Sequence, residues 1–218
     1  MTPERRTPRR ELDDFWEHLD RWSIFILANL LWAIFSIPVI TFPAATAGLF
    51  ATMSLWSRGK TPELFREFFG AMRRYWITSS LMVIQDLVVG GLLVVNLSIF
   101  PLMEISNPVV FLSRGVTLFV GVVLVLVNLY FWPLLVTFDL PLRQLLPIAL
   151  KLGMAHPLVS LGILLLVGLP VGISLVLPVG IFVFATFSAS IFLWNWGTWR
   201  VIRRYVSDDN RQKFESLA

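Results

Sequence analysis

The chain has 218 residues, 56% of them hydrophobic and only 15% charged. A water-soluble domain carries about a quarter charged residues, so this composition excludes an ordinary soluble fold. The net charge of +4 raises nucleic acid as a partner, but the placement of the charges excludes it.

Seventeen of the 18 Lys and Arg residues lie in four polar segments separated by long apolar runs, with Arg114 alone elsewhere. That pattern marks a lipid bilayer with anionic headgroups as the partner. Short basic loops stay on the cytoplasmic side of a membrane, so the basic segments and both termini are expected inside. No cysteine is present, which excludes disulfides, thiolate metal sites and cysteine catalysis.

The expected fold is an all-α, polytopic transmembrane bundle of about six membrane helices, with two cytoplasmic amphipathic helices. Residues 1–14 read as a basic tail, 15–205 as a single transmembrane domain, and 206–218 as a polar tail. The first 21 residues are too polar for a signal peptide, so the first membrane segment is expected to act as its own insertion signal. Spanning a hydrocarbon core of about 30 Å takes about 20 residues. Trp22 to Ile40 is the first such run, and an amphiphilic stretch, Leu12 to Leu19, precedes it. Pro38 and Pro43 bracket a break, because proline cannot donate to the helix ladder and disfavours helix before it. The next run, Ala44 to Trp56, is short for a crossing. It reads as a short packed helix or as the return arm of a re-entrant hairpin, and either restores the chain to the inside.

Thr61, as a cap, and Pro62 then start the first cytoplasmic helix. Leu64, Phe65, Phe68, Phe69, Met72 and Trp76 are expected on its apolar face, which makes it an interfacial helix. Trp76 to about Phe100 is the third crossing, Pro101 to Ser113 the outer connection, and Val116 to Phe138 the fourth crossing. Asp139 is expected to cap a second cytoplasmic helix, and Leu158–Leu177 and Val179–Trp199 complete the six, joined near Pro178. Trp22, Trp56, Trp76, Trp132, Trp194, Trp196 and Trp199 lie mainly near the inferred cytoplasmic ends, as an interfacial belt requires. A shift of 78 residues pairs Leu64 with Leu142, Ala71 with Ala149, and Thr61 with Asp139, which suggests a worn duplication.

Asp86 is the most informative polar residue. Ten residues after Trp76, it lies about 15 Å into the bilayer, where an acid marks a functional site by default. Its expected partners are Gln85, Asn29 or Asn128. It reads either as a proton, cation or solute site or as a neutral clamp between helices. Asn29, Asn96, Asn128 and Asn195 stand alone in apolar surroundings, where amides commonly bridge helices. His156 reads as interfacial, and His18 has no metal-ligand partner at suitable spacing. No nucleotide-binding, metalloprotease or hydrolase signature occurs. Neither a cofactor nor a metal is expected, and the chain is expected not to be an enzyme.

The segment Asn29-Leu30-Leu31-Trp32, followed by Ile37-Pro38-Val39-Ile40-Thr41 and Pro43-Ala44-Ala45-Thr46-Ala47, resembles the YesL-like family. These are bacterial membrane proteins that carry a domain of unknown function. Asn29, Trp32, Pro38, Thr41, Pro43 and Thr46 carry the motif. The likeness continues through Phe65-Arg66-Glu67-Phe68-Phe69 and the stretch from Phe138-Asp139. The resemblance implies a plasma-membrane location and an accessory role in carbohydrate uptake, with ABC transporter permease subunits, or a second copy of the chain, as partners. Phe65, Phe68, Phe69 and Arg73 would then form the docking surface. The rival expectation is a small-solute transporter or channel built on Asp86 and the broken segment, since transporters place their sites at broken helices.

Overall fold

The computed structural model describes residues 23–99, 108–174 and 185–206. The tails, the Leu12–Leu19 stretch, Trp22, His18, most of the expected outer connection and Pro178 lie outside them. The described residues form helices α1 (Ser23–Ser36), α2 (Phe42–Ser57), α3 (Leu64–Arg74), α4 (Trp76–Ile99), α5 (Pro108–Phe138), α6 (Leu142–Ala155), α7 (Pro157–Ser174) and α8 (Phe187–Ile202). No strand occurs among them. Three helical stretches are long and apolar enough to cross a membrane: Trp76–Ser98, Pro108–Phe138 and Pro157–Ser174.

Several boundaries differ from expectation, each for a local reason. α1 stops at Ser36 because Pro38 disfavours helix at Ile37. α5 begins at Pro108 rather than Val116, taking in Ser113, because proline suits a first helical turn. Neither expected cap acts as one. α3 starts at Leu64 behind Glu63, and α6 at Leu142 behind an extended Pro141. Asp139 instead ends α5 in the left-handed region, with φ 51°, a conformation that aspartate tolerates better than most residues.

Pairings along the helices give their directions. Phe25 meets Trp56, and Trp32 meets Phe42 and Thr46, so α1 and α2 form an antiparallel hairpin. Arg74 pairs with Asp139, Asp86 with Asn128, and Asn96 with Thr117. Advance along α4 is thus matched, to within a residue, by retreat along α5, so the two helices run antiparallel. His156 with Tyr205, and Ile163 against Gly197, set α7 antiparallel to α8. Phe50 packs on both Trp132 and Trp194, while Arg58, Thr137 and Trp199 share the next level down. α2, α5 and α8 therefore run side by side in one direction.

The core sits toward the basic ends of these helices, around Phe50, Met53, Phe68, Tyr130, Phe131 and Leu135. Trp132 belongs to this core, which corrects its assignment to an interfacial belt. α3 and α6 close the core, and their first residues are 78 positions apart in sequence. Each folds against the helix that precedes it through a glycine. A Cβ on Gly48 would stand 2.9 Å from the Phe68 carbonyl oxygen, and one on Gly153 2.9 Å from the Leu126 Cβ.

Candidate functional site

Polar groups in an apolar bundle must find partners within the protein, because hydrocarbon offers none. Asn128 Nδ2 donates to Asp86 Oδ1 at 2.9 Å and to the Leu124 carbonyl at 3.1 Å. Of the partners expected for Asp86, Asn128 is therefore the one that the fold supplies. Asn29 is engaged elsewhere: its Oδ1 accepts from the Ser188 N–H at 2.9 Å and from the Ser188 hydroxyl, which ties α1 to α8. Asn96 donates to the Thr117 hydroxyl across the α4–α5 seam. Asn195 differs, since it donates to the Ile191 carbonyl of its own helix and bridges nothing by that bond. His156 bonds the Tyr205 hydroxyl at 2.7 Å.

The break between α1 and α2 satisfies part of its own backbone. The Thr41 hydroxyl donates toward the Phe35 and Pro38 carbonyls at 2.5 and 2.8 Å, and the Thr41 N–H donates to the Pro38 carbonyl. The Thr46 hydroxyl donates to the Phe42 carbonyl and accepts from Trp32 Nε1 at 3.2 Å. The motif residues Trp32, Pro38, Thr41, Pro43 and Thr46 thus act together on one turn. That turn is apolar at its tip, where Ile37, Val39 and Ile40 are 79%, 86% and 72% exposed.

The expected docking residues divide. Phe68 is buried beside Gly48, and Leu64 and Ala71 are buried with it. Phe65 is 60% exposed, and Phe69, although it packs edge-on against Phe35, remains exposed. The single apolar face expected for α3 is therefore two faces, one on the core and one outward. Arg73 is exposed on that helix. Its neighbour Arg74 is held by the Asp139 carboxylate, which raises the guanidinium pKa. Tyr75, buried at the α3–α4 junction, has its hydroxyl pushed up to about 12, first by burial and then by the Asp139 charge.

Two features carried no signal in the sequence pattern. Pro133 lies inside α5 and has no N–H for the Leu129 carbonyl four residues earlier. Trp194 Nε1 of α8 donates to that carbonyl at 2.6 Å instead, so a helix defect becomes a tie between helices. Arg58, at the end of α2, donates to the Ser54 carbonyl and hydroxyl and lies over the Trp199 ring. It pairs with no carboxylate among the described residues, and burial lowers its pKa. No group of three or more His, Asp or Glu side chains among the described residues could hold a metal ion.

A family model described as "Protein of unknown function, DUF624" matches residues 25–97, which run from α1 almost to the end of α4. "Uncharacterized protein YesL" of Bacillus subtilis (strain 168) is 28% identical over 145 residues, covering 61% of this chain and 63% of that protein. The chain is thus similar to YesL over part of its length. The family-model match takes in the turn between α1 and α2, the outward face of α3 and Asp86, and the chain spans less than two thirds of the length of the curated relative. No solved structure matches the chain.

Proposed function

We propose that the chain is a multi-pass plasma-membrane protein without catalytic activity of its own, which docks onto and regulates an ABC-type carbohydrate uptake system. The observation that carries this reading is the division of α3. Phe68 anchors the helix to the core, while Phe65 turns outward between Arg66 and Glu63, with Arg73 a little further along. An apolar anchor ringed by charge is a common form of docking surface. The transporter reading has less support. The Asp86 carboxylate is met by an amide, and it lines neither the described groove between α4, α5 and α7 nor the one between α4, α5 and α6.

In this reading both termini are cytoplasmic and the α1–α2 hairpin enters the bilayer only partway. Its second arm, α2, has 16 residues and reaches about 24 Å, against about 30 Å of hydrocarbon. Its exposed apolar tip and internally bonded turn suit a lipid environment. α4, α5, α7 and the segment that ends in α8 then make the full crossings.

Purification of the native protein from its own membranes in mild detergent tests the docking role. A sugar-importer permease subunit is expected to co-purify, and Phe65→Asp, at the more exposed position, should abolish that capture while the melting temperature stays nearly unchanged. Absence of any permease from the wild-type preparation would contradict the proposal.

A further inference from the structure

At the basic end of the bundle, α5, α6 and α8 leave an apolar groove between them. Leu134 and Phe138 of α5, Ile148 and Leu152 of α6, and Ile202 and Val206 at the end of α8 line a space of about 350 Å³. That is within the usual size of a ligand pocket. Only two of its lining residues carry polar side chains, Lys151 and Tyr205, and both are exposed. The Tyr205 hydroxyl is bonded to His156, and the exposed Arg204 adjoins it in the chain. No carboxylate among the described residues lines the groove.

We propose that this groove binds one anionic phospholipid, with an acyl chain between α5, α6 and α8 and its phosphate held by Lys151 and Arg204. The argument is one of charge and position together. A largely apolar trough with the Lys151 ammonium in its lining and exposed Arg204 next in the chain to the lining residue Tyr205 matches a molecule with an apolar chain and an anionic head. A soluble anion would leave the trough unused, and a neutral lipid would leave both ammonium and guanidinium without a counter-charge. Basic clusters at the membrane face recognise anionic headgroups through this attraction. The inference goes beyond the docking role and uses none of the α3 residues.

The full-length protein in mild detergent is to be titrated separately with dioleoyl phosphatidylglycerol, dioleoyl phosphatidylcholine and glycerol 1-phosphate. Native mass spectrometry counts bound lipid, and the melting temperature is followed in parallel. The wild type is expected to retain one phosphatidylglycerol at least about tenfold more tightly than phosphatidylcholine, and glycerol 1-phosphate should not displace it. Lys151→Gln with Arg204→Gln, both at exposed positions, should remove that preference. Ala155→Trp, which fills the trough, should abolish retention of both lipids.

Equal retention of the two lipids by the wild type, or an unchanged preference in the double variant, would overturn the proposal. So would displacement by glycerol 1-phosphate, which would mark a site for free phosphate. A chain truncated after Val206 that gains lipid absent from the full-length protein would show that residues 207–218 fill the groove. Phe65→Asp should leave the lipid count unaltered, so that failure of the docking role and failure of the lipid site are separately visible.

Discussion

Asp86 and Asn128 form a pair whose geometry serves either protonation state of the acid, because the amide donates and the carboxyl oxygen accepts. What the pair needs is an acceptor at position 86. Asp86→Asn preserves one and should leave the melting temperature and partner capture nearly unchanged. Asp86→Leu removes it, and should cost about 1 kcal/mol, as interhelical hydrogen bonds in membranes do. Thermal unfolding of the two variants in detergent decides the matter. If Asp86→Asn destabilised as much as Asp86→Leu, or abolished a cation-dependent solute flux in proteoliposomes, the acid would be more than a clamp. The contrast with Asn195 is instructive, since an isolated amide there bonds only its own helix. Residue type alone does not tell a bridge from a local bond.

At the scale of elements, the two lateral helices obey one rule: each lies against its predecessor where a glycine removes a side chain. The roles are exchanged between the two cases. Gly48 is on α2, the helix against which α3 packs, whereas Gly153 is on α6 itself. A methyl group at Gly48 would meet the Phe68 backbone carbonyl, which cannot swing away as a side chain could. Gly48→Ala should therefore destabilise the fold by about 1–3 kcal/mol, read as a lowered melting temperature. Gly70→Ala, on the open side of α3, where nothing stands within 4 Å, should be tolerated. Equal effects at the two positions would mean that α3 does not pack as described.

The long apolar helices were legible because period and length suffice for them, and Trp76, Phe138 and Leu64 fall at or beside the expected ends. The 78-residue offset was legible too, through its apolar matches. The caps were not, because Thr61 and Asp139 have the right chemistry but the chain stays extended past them. The seam between α4 and α5 was half legible. Asp86, Asn96 and Asn128 announced themselves as polar residues in apolar runs, but their register depends on two helices at once. The division of α3 was hidden for the same reason, since only contact with Gly48 decides which phenylalanine faces the core. The tie from Trp194 to the carbonyl freed by Pro133 needed the fold outright.

For the whole molecule, the eight described helices make an uneven body. The core gathers at the basic end, and α4 and α5 continue past it as a long hairpin held by Asn96 and Thr117. α1 and α2 stop short of that hairpin's far end, with bare Val39 and Ile40 at their tip. The central claim, that the basic face is cytoplasmic and the α1–α2 hairpin ends inside the bilayer, is open to direct test because the chain has no cysteine to remove. The measurement is labelling of single cysteines by an impermeant maleimide, applied from outside to intact cells and from inside to inverted vesicles. A cysteine in place of Gln144 should react only from the cytoplasmic side, and one in place of Ile40 from neither side until detergent is added. Labelling of the Ile40 position from outside would mean that the hairpin crosses the membrane, and labelling of the Gln144 position from outside would invert the whole orientation.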